Sequence, residues 1–104
     1  MNFQFKINPN FDFNKLIPTY RNQIDNIDSE IIQLLEKRNI VCKKIGQCKK
    51  NMNNSIENKD REFDILINLS EKINNISNAE LIKIYREIFV MSKRIQKECG
   101  NFKI

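Results

Sequence analysis

Apolar side chains recur at alternating steps of three and four residues from Ile17 to Met52, and this is the strongest pattern in the chain. Such heptad-like spacing places every member on one face of an α-helix. The face, here called the apolar seam, holds one arginine among apolar or aromatic residues: Ile17, Tyr20, Ile24, Ile27, Ile31, Leu34, Arg38, Val41, Ile45, Cys48 and Met52. With Asn14 as N-cap and Pro18 in the first turn, the pattern predicts a helix from about residue 14 to about residue 52.

The length of this helix has a consequence for assembly. It would extend for about 58 Å, whereas a compact chain of this size has a radius of gyration of about 13 Å. Much of the apolar seam would then face water in a single chain. Because a partner chain would cover it, we predict an intertwined helical homodimer.

A second helix is predicted after the polar stretch of residues 51 to 58. It should run from about Asn58 to Asn74, and Glu62 lies on its inward side. The apolar members of that side are Ile65, Leu66, Leu69 and Ile73.

A third helix should run from about residue 78 to residue 98. Ser77 and Glu80 have the spacing of a capping box at its start. Two polar residues, four apart, lie on or beside its inward side, which consists of Leu81, Ile84, Tyr85, Ile88, Phe89, Ser92, Ile95 and Gln96.

The fold class is therefore predicted to be all-α, with three helices in a domain of residues 14 to 104. Residues 1 to 13 form an N-terminal tail. Phe3, Phe5 and Ile7 alternate with polar residues there, which permits a short strand, although a disordered tail fits equally well.

Composition limits the chemistry. The 104 residues suit one domain, and the lack of a transmembrane span or secretory signal predicts a cytoplasmic protein. The three cysteines, Cys42, Cys48 and Cys99, form no CxxC pair and the chain has no histidine. We therefore expect reduced cysteines that pack as small apolar residues, and no metal site.

The formal net charge of +5 raises the question of a nucleic-acid partner. The lysines are spread along the chain rather than gathered in one run. We therefore expect neither a nucleic-acid nor a membrane partner. A positive field also suits a small anionic substrate.

Polar residues on apolar faces are the candidate site, because burying an unpaired charge is costly. Arg38 and Lys49 are eleven residues apart, which places them on one helix face with Cα atoms roughly 16 Å apart. Glu62, Ser92 and Gln96 lie on the inward sides of the other two helices. Taken singly, each also fits an ordinary structural role; together they suit a dianion that is held without covalent chemistry.

Arg21 precedes Arg38 by 17 residues, which places it about 100° round the helix and four to five turns away. It cannot easily serve the same pocket within its own chain. In an antiparallel dimer, Arg21 could serve the pocket of the partner.

Three segments together resemble the all-helical (type II) class of chorismate mutase. They are LIPTYRNQIDNIDSEIIQLLEKRNIVCKKIGQCK, DRE at 60 to 62 and SKRIQ at 92 to 96. The resemblance covers about residues 15 to 97. It implies an interlocked dimer of three-helix chains that rearranges chorismate to prephenate for phenylalanine and tyrosine synthesis, without a cofactor.

The resemblance also implies residue roles. Arg38, and Arg21 from the partner subunit, would each bind a substrate carboxylate. Lys49 would contact a carboxylate and the ether oxygen, to which Gln96 would also donate. The remaining implied substrate contacts are Glu62 with the ring hydroxyl, Ser92 with a carboxylate, Arg61 beside the pocket, and Asn58, where family members often carry Asp.

Two other functions remain open at this stage. An isochorismate pyruvate lyase can be built on the same scaffold, although Arg61, Glu62 and Ser92 favour the mutase. A non-enzymatic helical dimerisation or nucleic-acid-binding module would leave Glu62 and Gln96 unexplained. Because related enzymes are often fused to other enzymes of the shikimate pathway, docking to such an enzyme is a further expectation.

Overall fold

The computed structural model describes residues 12 to 100, which form a short 3₁₀ turn and three α-helices. Helix α1 spans Leu16–Asn51, α2 spans Lys59–Ser70 and α3 spans Asn78–Gly100. No strand occurs in this part of the chain. The all-α prediction with a long first helix is confirmed, whereas the permitted strand at residues 3 to 7 lies outside the described residues.

No helix within residues 12 to 100 combines the length and the apolar character that a membrane crossing requires.

The start of α1 differs from the prediction. A 3₁₀ turn, Phe13–Lys15, precedes the helix, and the side chain of Asp12 caps this turn by accepting from the Asn14 N–H at 3.0 Å. Asn14 therefore lies inside the turn, and the prediction that it is the N-cap was wrong. An aspartate two residues upstream competes for the same role because its carboxylate is an equally good cap.

The end of α1 agrees with the predicted boundary near residue 52. Asn53 has a positive φ of 56°. Its N–H donates to the Lys50 carbonyl at 3.0 Å, and the Asn54 N–H donates to the Lys49 carbonyl at 2.8 Å. These two bonds form a Schellman motif, in which asparagine accepts the left-handed backbone that glycine more often supplies.

Helix α2 begins as predicted but ends at Ser70, four residues before the predicted Asn74. Asn58 is its N-cap. At the other end, the Ser70 hydroxyl donates to the Ile67 carbonyl at 2.7 Å and the Lys72 N–H donates to the Leu69 carbonyl at 2.9 Å. Both bonds span three residues instead of the four of an α-helix, and they close the last turn. The polar residues that follow do not favour further helix.

Helix α3 begins at the predicted capping box. The Ser77 hydroxyl accepts from the Glu80 N–H at 3.1 Å, and the Glu80 carboxylate accepts from the Ser77 N–H at 3.0 Å. The bond from the Ser77 N–H to this carboxylate, and secondarily the Ser77 side chain beside the carboxylate, lower the pKa of Glu80 below its ordinary value. Two N–H groups at the helix start are satisfied in this way.

The chain divides into two compact units between Leu35 and Glu36. In the second unit, the buried apolar residues are Cys42 of α1 and Leu81, Phe89 and Ile95 of α3. Within the first unit, the apolar seam of α1 is exposed in the single chain, with fractions of 42% to 62% at Ile17, Tyr20, Ile24, Ile27, Ile31 and Leu34. Burying a fully exposed side chain of this kind is worth about 1.5–3 kcal/mol, so covering the half that remains exposed would stabilise the protein by a smaller amount per residue.

Candidate active site

A cavity of about 240 Å³ lies among the C-terminal part of α1, the α1–α2 connection (residues 52–58), α2 and α3. Apolar side chains and one thiol form part of its wall: Val41, Cys42, Ile45, Ile56, Ile65 and Phe89. The polar lining contains seven of the eight predicted site residues, namely Arg38, Lys49, Asn58, Arg61, Glu62, Ser92 and Gln96. An additional lysine, Lys93, was not among the predicted residues.

Arg38 reaches from α1 to α3. Its Nη1 donates to the Ser92 hydroxyl oxygen and lies 3.7 Å from the Cys42 sulfur. The Ser92 hydroxyl in turn donates to the Ile88 carbonyl at 2.8 Å, which leaves its oxygen free to accept from the guanidinium. No carboxylate within residues 12 to 100 lies at ion-pair distance from Arg38. The ordinary structural role of a partly buried arginine, an ion pair with a carboxylate, is therefore not what Arg38 has among these residues.

Lys49 is positioned by a backbone group of the α1–α2 connection. Its Nζ donates to the Ile56 carbonyl at 2.9 Å. An ammonium carries three N–H donors, so two remain for another acceptor. Lys49 is partly buried, although it belongs to a two-lysine run in which Lys50 is exposed.

The start of α2 supplies Asn58 and Arg61. The Asn58 side-chain oxygen accepts from the Arg61 N–H at 3.0 Å. This oxygen therefore serves as the N-cap, a role that Asp performs about as well. Its use as a cap explains how asparagine fits this position, and Arg61 is one of the residues that line the cavity.

Glu62 and Lys93 form an ion pair at the cavity wall. The Lys93 Nζ lies 3.6 Å from Glu62 Oε2 and 3.7 Å from Glu57 Oε1. Sequence reasoning missed Lys93 because a lysine inside the SKRIQ run resembles any solvated lysine. Its position directly after Ser92 was the available signal.

Gln96 is 9% exposed, and its Oε1 is buried without a hydrogen-bond donor among the described residues. Such an orphaned polar atom is uncommon in a native interior, and the Oδ1 of Asn39, which does not line the cavity, is a second one among the described residues. The backbone of Gln96 also meets Gly46 of α1, where an added Cβ would lie 2.5 Å from the Gln96 carbonyl oxygen. Gly46 was likewise not among the residues predicted to form the site. A glycine inside a long helical pattern was the available signal, because such a glycine often permits close packing.

The eighth predicted residue, Arg21, belongs to the unit that ends at Leu35, where its side chain is exposed. It does not line this cavity. That Arg21 serves the pocket of a partner subunit remains a prediction.

The charge of the cavity favours an anion. Arg38, Lys49, Arg61 and Lys93 carry positive charge, whereas Glu62 is the lining carboxylate. Within residues 12 to 100, no cluster of three or more metal-ligating side chains occurs. Fixed cations, a hydroxyl and an amide between apolar walls can bind, orient and stabilise negative charge.

Comparison with known proteins identifies the class. Residues 20 to 97 match the family model described as chorismate mutase type II, and the chain belongs to this family. It is 32% identical over 83 residues to a bifunctional chorismate mutase/prephenate dehydratase of Aquifex aeolicus, covering 75% of this chain and 23% of the relative. A protein of the same name from Buchnera aphidicola subsp. Schizaphis graminum is 33% identical over 86 residues, covering 80% and 22%.

The chain thus spans less than a quarter of the length of the curated relatives it matches. No solved structure shows a significant match.

Proposed function

We propose that this chain is a chorismate mutase, which rearranges chorismate to prephenate in phenylalanine and tyrosine biosynthesis. The observation that carries the proposal is the meeting of seven motif residues, from all three helices and the α1–α2 connection, around one cationic cavity. The family match over residues 20 to 97 supports the same reading. We assign the catalytic domain to residues 14 to 104, with residues 1 to 13 as a tail, and we expect it to act in the cytoplasm.

The substrate is a dianion, so its two carboxylates need cationic partners. We assign one carboxylate to Arg38, which no carboxylate of the described residues neutralises. Ser92 fixes the guanidinium of Arg38 and assists at the carboxylate. Arg21 of the partner subunit binds a carboxylate from the other side of the site. The proposed homodimer thus covers the exposed apolar seam and completes the site.

The reaction is an intramolecular Claisen rearrangement. The ether C–O bond breaks while a C–C bond forms, and no external proton, electron or group is required. Negative charge gathers on the ether oxygen in the transition state. Lys49 and Gln96 donate to that oxygen as its charge develops, which lowers the barrier because the interaction is stronger in the transition state than in the substrate.

Glu62 accepts a hydrogen bond from the ring hydroxyl, and Asn58 and Arg61 complete the substrate contacts at the start of α2. The arginines, which bind both carboxylates, hold the enolpyruvyl arm over the ring, so that the reacting carbons stay close. A million-fold acceleration requires a barrier reduction of about 8 kcal/mol. One well-placed donor supplies about 3 kcal/mol, so positioning must provide much of the remainder.

We also expect, from the fusions common among related enzymes, that the chain can dock to another enzyme of the shikimate pathway. The test is co-purification of this chain with such an enzyme. Substitution of exposed residues of this chain should abolish the co-purification, and the test is separate from catalysis.

Identification of the product tests the proposed function. Purified protein is incubated with chorismate and the products are separated and identified. Prephenate is expected. The Lys49→Ala variant, purified in the same way, controls for mutase carried over from the expression host. Unchanged chorismate would refute the proposal. Conversion of isochorismate to salicylate and pyruvate, with chorismate inert, would identify the lyase; salt-dependent DNA binding with chorismate inert would support the non-enzymatic module.

A further inference from the structure

Lys93 occupies an unusual place among the cations of the cavity because it faces two carboxylates. Its Nζ lies 3.6 Å from Glu62 Oε2 and 3.7 Å from Glu57 Oε1. The side chains of Lys93 and Glu62 are 35% and 25% exposed, and that of Glu57 is 53% exposed. Water therefore screens the Lys93–Glu57 ion pair more than the Lys93–Glu62 ion pair.

These three residues come from three parts of the site. Lys93 lies on α3, Glu62 on α2 and Glu57 in the α1–α2 connection. The same connection supplies the carbonyl of Ile56 that positions Lys49. The ammonium of Lys93 therefore links the segment that holds Lys49 to α2, which carries Arg61 and Glu62, and to its own helix α3.

Two roles are open to a lysine in this place: direct binding of a substrate carboxylate, or orientation of Glu62. Arg38, Lys49 and Arg61 have no carboxylate partner among the described residues, whereas Lys93 has two. A cation already neutralised in this way has less attraction to offer an anionic substrate. The contact involves Glu62 Oε2, so Oε1 remains to accept another hydrogen bond.

We propose that Lys93 is a positioning residue, which orients the Glu62 carboxylate toward the substrate hydroxyl and is itself held by Glu57. The inference rests on the proposed function, since it assigns the hydroxyl contact to Glu62. The hydroxyl does not change during the rearrangement. Lys93 therefore acts mainly on KM, because an interaction made equally in the ground and transition states leaves kcat unchanged.

A double-mutant cycle tests this role, with chorismate as the substrate and kcat and KM measured for each protein. Lys93→Met keeps the length of the side chain and removes the charge. It should raise KM about fivefold, the scale of a part-exposed ion pair, with kcat nearly unchanged. In the Glu62→Gln background the same substitution should have no further effect. Lys93→Arg should restore the wild-type KM to within about twofold, since it keeps the charge.

Arg94→Met is the matched control, because Arg94 is the neighbouring residue and pairs with Glu98 on the exposed side of α3 at 3.1 Å. It should leave KM unchanged. Glu57→Gln should shift KM in the same direction as Lys93→Met, by a smaller factor. Circular dichroism of each variant confirms that the helices are retained.

Each outcome is decisive. An equal increase in KM from Lys93→Met in both backgrounds would show that Lys93 binds the substrate directly, and would overturn the inference. An unchanged KM in Lys93→Met, with an active wild type, would also overturn it. A wild-type protein that leaves chorismate unchanged would instead overturn the proposed function, and with it the role of Glu62.

Discussion

Gly46 and Gln96 bring α1 and α3 together backbone to backbone beside the cavity. A Cβ built on Gly46 would lie 2.5 Å from the carbonyl oxygen and 2.7 Å from the Cα of Gln96. Because the obstructing atoms are backbone, no side-chain rotation can relieve the contact. The position of the Gln96 amide in the cavity therefore depends on the absence of a side chain at residue 46.

Gly46→Ala should separate the two helices locally. Overpacking of this kind costs about 1–3 kcal/mol, while alanine regains about 1 kcal/mol of helix propensity, so we expect a net loss of about 1 kcal/mol. Displacement of Gln96 should lower kcat about tenfold or more. Urea unfolding and steady-state kinetics measure the two effects. Gln47→Ala, at the exposed neighbouring position, is the control. A Gly46→Ala protein with wild-type stability and kcat would show that the close approach of Gly46 to the Gln96 backbone has no consequence.

Lys49→Ala removes the donor assigned to the ether oxygen. We expect kcat to fall at least a hundredfold, with helix content retained. Lys50→Ala is the matched control, since Lys50 is exposed and differs from Lys49 only by its place on the helix. Retention of most activity in Lys49→Ala would refute the assigned role.

Gln96→Glu should make the rate depend on acid. A carboxylic acid donates a hydrogen bond only when it is protonated, and a carboxylate would repel the charge that develops on the ether oxygen. The variant should therefore be slow at neutral pH and faster as the pH falls. The measurement is the pH profile of kcat for the variant and for the wild type; a variant profile parallel to that of the wild type would contradict the assignment.

Glu80 should contribute to the acid sensitivity of the fold. The Ser77 N–H bond lowers its pKa in the folded state, so the ionised group stabilises the native protein above its unfolded-state pKa. This stabilisation is lost as the pH falls through the lower folded-state pKa. Glu80→Gln should therefore reduce the loss of stability between neutral and acidic pH. Urea unfolding at several pH values measures the effect, with Glu87→Gln on the same helix as control. An identical pH dependence for Glu80→Gln and wild type would exclude the contribution.

Local rules predicted most of the helical architecture. The repeat of apolar residues located α1, and the pair Ser77 and Glu80 located the start of α3, because both patterns depend on neighbours a few residues apart. The errors occurred at helix ends. Asp12 took the capping role expected of Asn14, and α2 stopped at Ser70, where several polar residues offered competing endings.

Site residues could be predicted from the sequence only where a polar residue interrupts an otherwise apolar helix face. Arg38 was identifiable because it interrupts an apolar face, whereas nothing in the local sequence pairs Lys93 with Glu57, which lies 36 positions earlier. The approach of Gly46 to Gln96 is likewise a contact between distant segments. Such relationships depend on how the helices pack, and a single sequence does not encode them in any local spacing.

Mixing of two inactive variants tests the central claim most directly, because it requires both the cavity and the contribution of a second chain. Arg21→Ala and Arg38→Ala are each purified, confirmed to be nearly inactive, then combined in equal amounts under conditions that exchange subunits. Random pairing gives heterodimers in which one site has both arginines, so about a quarter of the wild-type chorismate mutase rate should return. No recovery after verified exchange, or full activity of Arg21→Ala alone, would contradict a site shared between two subunits.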